Sequence, residues 1–400
     1  MADKVQIAQD TWWVGANDYD THRFEAIWPL PGGISYNSFL IKDEKTALID
    51  AVKGAFLPGL LERIKALLGE RPLDYVVVNH MEPDHSGALA VIRESFPDVV
   101  IVGNKKTANL LEAFFGITQR LKIVDDNEAL NLGRHNLRFF LTPMVHWPET
   151  MMTFDELSGV LFSGDAFGGF GAVADGIFDD QVETSYFERE ILRYFSNIIA
   201  KYGDFVNKAI VRVSQLPIKV VASTHGPIWR DRPGDIIDHY ARWSRQETEP
   251  QLAVIYASMY GNTRRLAEAV ASAASREGVK TVRVMDVSRM EPSFIISDMW
   301  TCRGLVLASP TYNTRLFPLM ASMVDMLQNM KLKNRFLGLA GTYGWSKGAL
   351  AALLEFAKIT KLPLVAPTIE AHCAPTRQDL DQCDQLGREM ARALTQPPNR

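Results

Sequence analysis

The sequence predicts an α/β protein of two domains: a sandwich of two sheets between helices over residues 1–249, then a doubly wound parallel sheet over residues 250–400. Three observations carry this reading. A chain of 400 residues, 47% hydrophobic, exceeds what one ordinary core needs. The order of strand and helix patterns is irregular in the first part and strictly alternating in the second. Between them lies a charged seam, "SRQETEPQ" from Ser244 to Gln251, with Pro250 near its end.

In the first part, strand-like runs fall at Ser38–Lys42, Thr46–Asp50, Tyr75–Asn79, Val99–Gly103, Leu137–Leu141, Val160–Phe162 and Lys219–Ser223. Phe56–Leu68 and Tyr186–Ile199 carry apolar residues at helical spacing. In the second part, apolar runs at Leu252–Tyr256, Thr281–Met285, Gly304–Ala308 and Phe336–Ala340 are each followed by a helix-length amphipathic segment. That alternation predicts parallel strands covered on both faces.

Composition narrows the function. A formal net charge of −4 with both signs dispersed gives no basic stripe for nucleic acid. The polar start Met1–Gln6 leads into no signal-peptide core, and no apolar run reaches the roughly 18 residues of a membrane span. The expectation is a cytoplasmic protein. Its three cysteines, Cys302, Cys373 and Cys383, form no Cys-x-x-Cys pair. A disulfide framework or an iron–sulfur cluster needs more thiols in closer sets. Any metal must be held by nitrogen and oxygen.

Such donors are present. The buried run Tyr75–Asn79 opens into His80, Glu82, Asp84 and His85. Three later strands end the same way: Leu137–Leu141 before His146, Val160–Phe162 before Asp165, Lys219–Ser223 before His225. Strand ends fix where such side chains start, so they can converge on one point. Seven donors are too many for one catalytic metal, and a dinuclear site follows, with Asp165 able to bridge. A single buried His after a strand is more often a hydrogen-bonded core residue; the set of seven outweighs that reading. The chain has eight histidines. The other four, His22, His135, His239 and His372, read as surface or structural, with His22 the one to watch. Trp147 is open between lining the pocket and plain packing.

The set His-x-Glu-x-Asp-His, then His, Asp and His, resembles the flavodiiron protein family, over essentially the whole chain and in the same domain order. The resemblance implies a metallo-β-lactamase-like diiron domain followed by a flavodoxin-like FMN domain. It implies that His80, Glu82 and His146 hold one iron, Asp84, His85 and His225 the other, and that Asp165 bridges. His85 stays open between ligation and a place behind the ligands, because in some members the matching His swings away and water replaces it. Glu82 then has a chemical reason. A hard carboxylate suits a metal that cycles between ferrous and ferric, whereas zinc has no redox chemistry to gain from it.

In the second part, "IYASMYGNTRRLA" runs from a strand through Ser258, Met259, Tyr260, Gly261, Asn262 and Thr263 into a helix. Successive N–H groups and the helix start make an anion cradle. It is neither a GxGxxG fingerprint nor a Walker loop, and it is similar to the flavodoxin phosphate loop; a merely Ser/Thr-capped helix is the plain alternative. Two more loops follow later strands: Ser309–Pro318, with Pro310, Thr311, Tyr312 and Asn313, and Gly341–Ala349, with Thr342, Tyr343, Gly344 and Trp345. In flavodoxin-like domains these loops bind the flavin ring.

The resemblance further implies reduction of dioxygen to water, nitric oxide to nitrous oxide, or both, with electrons relayed through FMN. It implies a head-to-tail homodimer, or a dimer of such dimers, in which each FMN faces the partner's irons. The sequence holds no four-cysteine rubredoxin module, so the expected donor is a separate rubredoxin or, as in some archaeal members, a deazaflavin cofactor. Two rivals stand beside this: a metal-dependent hydrolase with an accessory flavodoxin-like domain, and a flavin electron carrier with an inactive metal site.

Overall fold

The computed structural model describes residues 5–173 and 176–395, so Met1–Lys4 of the polar start lie outside it. Two compact units result, Met1–Ser244 and Arg245–Arg400.

The first unit holds a seven-stranded sheet in the order Val5–Ala8, Thr11–Trp13, Phe39–Lys42, Thr46–Ile49, Tyr75–Val77, Val100–Gly103, Leu121–Ile123. Its first four strands pair antiparallel and the rest parallel. A five-stranded sheet follows: Ala129–Asn131, Asn136–Leu141, Met151–Asp155, Val160–Gly164, Val220–Ser223. Its last pair is parallel. Thr46–Ile49 and Val160–Gly164 are buried at every position, as continuous apolar runs inside covered sheets should be.

Asn79 ties the sheets together. Its backbone N–H and Nδ2 donate to Asp50 Oδ1 and Oδ2 at 2.8 and 2.9 Å, and its Oδ1 accepts from Thr153 Oγ1 at 2.7 Å. The strand expected to reach Asn79 therefore stops at Val77. Asn79 leaves the ladder to clamp the two layers directly beneath the His80 loop.

Helix edges shift for similar reasons. The first helix is Leu57–Leu68, entered through a 3-10 turn at Gly54–Phe56. The segment expected as one helix to Ile199 is α-helical over Thr184–Tyr194 and widens into a π turn at Phe195–Ile199. Such widenings often re-aim a functional residue; here the preceding one is Tyr194. The strand Met151–Asp155 is absent from the sequence reading. All five of its residues are buried, so no polar alternation marks it.

In the second unit the parallel order is Val282–Asp286, Glu249–Tyr256, Cys302–Tyr312, Phe336–Tyr343, Ile369–His372. The chain reverses direction of travel between its first and third strands, which opens a crevice at their carboxyl ends. The core packs Leu252, Val254, Val306, Ala340 and Ile369 with Leu266 and Val270 of helix Asn262–Arg276 and Leu386 and Met390 of helix Arg377–Thr395. Two segments read as loops are partly strand. Cys302–Tyr312 folds back on Arg315–Leu316 through Asn313 and Thr314, whose φ values of 45° and 65° make a tight left-handed turn. Among the described residues no helix is long and apolar enough to cross a membrane.

Candidate metal centre and cofactor cleft

All seven expected donors of the first unit come together where carboxyl ends of strands from both sheets meet. They form two groups, His80, Glu82, His146 and Asp165, and Asp84, His85 and His225; within each, one donor atom per residue lies within 4.8 Å of the others. Glu82 Oε2 sits 3.2 Å from His80 Nε2 and 3.1 Å from His146 Nε2. Asp84 Oδ2 sits 3.2 Å from His85 Nε2 and 3.3 Å from His225 Nε2. Asp165 reaches both groups. Its Oδ2 is 3.1 Å from His146 Nε2, and its Oδ1 is 3.1 Å from His85 Nε2. His85 points into the cluster, with Nε2 3.1 Å from that of His225.

Local structure aims these groups. Asp84 and His85 ride on a single helical turn, Pro83–Ser86, whose Pro83 starts it. Gly226, at φ 74°, keeps its α-carbon against Gly169, where an added Cβ would meet the Gly169 carbonyl oxygen at 3.2 Å.

The electrostatics ask for cations. Burial alone would lower the His80 imidazole, but Asp165, then Glu149 and Glu82, lift its pKa to about 10. His146 is likewise pulled down by burial and lifted to about 9 by Asp165 and Glu82. Burial pushes Asp165 up, yet His85 and His80 hold it well below the carboxylate range. Protons on the imidazoles thus stand in for positive charge. Both Asp84 carboxylate oxygens are buried without a hydrogen-bond partner among the described residues. A buried carboxylate without a hydrogen bond, set beside the two imidazole nitrogens of His85 and His225, fits a metal ligand. The donor set, all nitrogen and oxygen, fits two first-row ions such as iron.

Several contributing residues escaped the sequence. Glu149 is fully buried, and its Oε1 accepts from His80 Nδ1 at 2.8 Å and from the Met81 N–H at 2.9 Å. That fixes the His80 tautomer and leaves Nε2 facing the cluster. The Ser35 carbonyl oxygen accepts from His225 Nδ1 at 2.7 Å, and Thr224 Oγ1 donates to Asp165 Oδ1 at 2.5 Å. The one signal available was Glu149's place three residues after His146 in "HWPET".

An aromatic wall surrounds the second group. Phe24, Tyr36 and Tyr194 lie 5.5, 5.8 and 5.6 Å from the His225 ring. The buried Tyr194 hydroxyl has no hydrogen-bond partner among the described residues. Trp147 packs edge-on against His80 at 5.2 Å. The other histidines stand apart. His22 is exposed, His135 is buried on Asp155, His239 stacks on Trp243, and His372 packs against Tyr343.

In the second unit, a cleft of about 290 Å³ opens at the carboxyl edge of the sheet. Ser258, Met259, Tyr260, Asn262, Thr263, Pro310, Thr311, Thr342, Tyr343, Gly344 and Trp345 line it. Gly261, Tyr312 and Asn313 do not. Gly261 shapes the loop instead, with φ 91° and its N–H donating to Ser258 Oγ at 3.1 Å. Thr263 and Thr342 hydroxyls bond across the cleft floor at 2.8 Å. Cys373, missed by the sequence reading, also lines the cleft. Trp345 is 81% exposed, which removes core packing as its role. A loop of backbone N–H groups with flanking hydroxyls and a flat aromatic rim fits a flavin mononucleotide.

Comparison with known proteins agrees with both halves. The profile described as ODP family beta lactamase matches residues 34–226, and that described as Flavodoxin matches residues 254–353. The chain is 33% identical to a nitric oxide reductase of Moorella thermoacetica, over 98% of this chain and 99% of that one. It superposes on the rubredoxin oxygen:oxidoreductase of Desulfovibrio gigas with a TM-score of 0.95 at 28% identity, covering 98% and 99% of the two chains. For the flavodiiron protein of Giardia intestinalis the TM-score is 0.93 at 28% identity, with 99% and 97% covered. With its sandwich, its dinuclear donor set and its flavodoxin unit, the chain belongs to the flavodiiron protein family.

Proposed function

We propose that the chain reduces dioxygen to water, nitric oxide to nitrous oxide, or both, at a diiron site fed through FMN. The single observation behind this is Asp165, whose two oxygens face two complete donor groups. His80, Glu82 and His146 would hold one iron, Asp84, His85 and His225 the other, and Asp165 both. The loops around Ser258–Thr263, Pro310–Thr311 and Thr342–Trp345 would hold FMN. When bound, these groups supply single-electron relay and reduction of a diatomic gas.

The chain's own residues prepare that chemistry. Glu149 and the Ser35 carbonyl orient two imidazoles. Phe24, Tyr36 and Tyr194 make an aromatic surround that limits water beside His225. The Tyr194 hydroxyl is a donor held ready within this apolar surround. We propose a separate one-electron donor of the rubredoxin kind, and a cytoplasmic setting in keeping with three free cysteines. The domain limits 1–249 and 250–400 are part of this proposal. So is a head-to-tail dimer, or a dimer of dimers. Tyr260 at 91% and Trp345 at 81% exposure put bare aromatic surface at the cleft rim, of the kind a partner covers.

Anaerobically reduced protein, with iron and flavin quantified, is mixed by stopped flow with each gas. Reoxidation by at least one gas, without peroxide when oxygen is used, is the expected result. A colourless zinc protein that hydrolyses esters and leaves both gases untouched would favour the hydrolase rival. Flavin reoxidation that proceeds equally in iron-free protein would favour the electron carrier.

A further inference from the structure

The two halves of the centre have matching inner donors. Each has two imidazoles and one carboxylate of its own, and they share Asp165. The residues behind the imidazoles do not match. His80 Nδ1 donates to the buried carboxylate of Glu149 at 2.8 Å, and the Met81 N–H locks the same oxygen at 2.9 Å. Among the described residues His225 Nδ1 donates to the neutral Ser35 carbonyl alone, at 2.7 Å. His85 Nδ1 is buried with no partner among the described residues. The bridge is unequal too, because Thr224 Oγ1 donates at 2.5 Å to Asp165 Oδ1, the oxygen that faces His85.

Among the described residues His146 Nδ1, like His85 Nδ1, makes no hydrogen bond, so each half has one ring with support behind it. The contrast lies between the charged Glu149 and the neutral Ser35 carbonyl. A carboxylate behind an imidazole makes the ring a stronger donor and removes its freedom to turn. In a buried site its charge is weakly screened, so it also acts on the metal directly. A ring with no acceptor behind it has neither advantage. A hydroxyl bound to the bridging oxygen draws charge away from the half that oxygen faces.

We propose that Glu149 is a positioning residue that makes the centre asymmetric: the position formed by His80, Glu82 and His146 takes up its metal first and releases it last. This rests on the dinuclear reading above. It concerns metal retention and holds for a redox-silent ion as well as for iron.

The test uses the full chain stripped of metal, labelled with 15N-histidine and titrated with zinc(II). The ring nitrogens of His80 and His146 should shift during the first equivalent, and those of His85 and His225 during the second. Glu149→Gln keeps the side chain's shape and an acceptor for His80 but removes the charge. In it the first position should weaken by about 10–100-fold, the range for such supporting partners, so that all four rings shift together. Glu149→Asp keeps the charge and should restore the order at least in part. If His85 and His225 shift first in the unaltered protein, the bare carboxylate of Asp84 outweighs Glu149 and the proposal is wrong. It is equally wrong if Glu149→Gln keeps the original order. Saturation at a single equivalent would instead defeat the dinuclear reading on which the proposal stands.

Discussion

Asp165→Asn should empty the metal centre while leaving the flavin in place. Among the described residues Asp165 is the one side chain with an oxygen in each half, 3.1 Å from His146 on one side and 3.1 Å from His85 on the other. The amide replaces one of those oxygens with an N–H donor and removes the shared negative charge. Leaving the imidazoles without it also lowers their hold on protons, because Asp165 heads the groups that raise His80. Losing a partner merely behind a ligand costs about 10–100-fold in affinity or activity, so losing this shared acid should cost more than about 100-fold in gas reduction. Iron content should fall below one per chain. Flavin content should not change, because the cleft is built within Arg245–Arg400. Metal analysis, flavin absorbance and stopped-flow turnover on one sample check this; two tightly held irons in the variant would contradict it.

The second large effect is a pair of opposite pH dependences. In the metal-free protein the folded pKa of His80 is raised to about 10 and that of His146 to about 9, against about 6.5 for an unfolded histidine. A raised folded pKa gives stability that is fully present below about pH 6.5 and is lost as pH climbs through the folded values. Metal-free protein should therefore lose at least about 2 kcal/mol of unfolding free energy between pH 7 and 10, the worth of about one and a half units. Metal affinity runs the other way, because a cation must displace those protons. It should rise over the same window, with proton release at pH 7 detected by calorimetry in buffers of different ionisation enthalpy. Denaturant unfolding of metal-free and metal-loaded protein gives the first half. Metal-free stability that stays flat or rises from pH 7 to 10 would refute it.

The inner site was legible because its chemistry is local. His80, Glu82, Asp84 and His85 fall within six consecutive positions after a buried strand, and the other three each follow a strand of their own. The outer residues were not legible, because their contacts are distant in sequence. His225 meets Ser35 across 190 positions, and His80 meets Glu149 across 69. Apart from Glu149's closeness to His146, nothing in either segment marks those pairs; the closing of two sheets around Asn79 creates them. In the second unit the alternation of strand and helix predicted the parallel sheet. It could not predict where strands stop. Phe336–Tyr343 runs on past Ala340 because Ile369–His372 pairs beside it, aligning Gly341 with Glu370 and Thr342 with Ala371. That last strand was itself too short and too polar to stand out.

The central claim is that seven side chains from two sheets enclose a pair of irons. An anomalous difference map at the iron absorption edge, from crystals of anaerobically iron-loaded protein, tests it most directly. The account predicts two peaks per chain, one among His80, Glu82 and His146, the other among Asp84, His85 and His225, with Asp165 between them. One peak, or two peaks away from these residues, would contradict it.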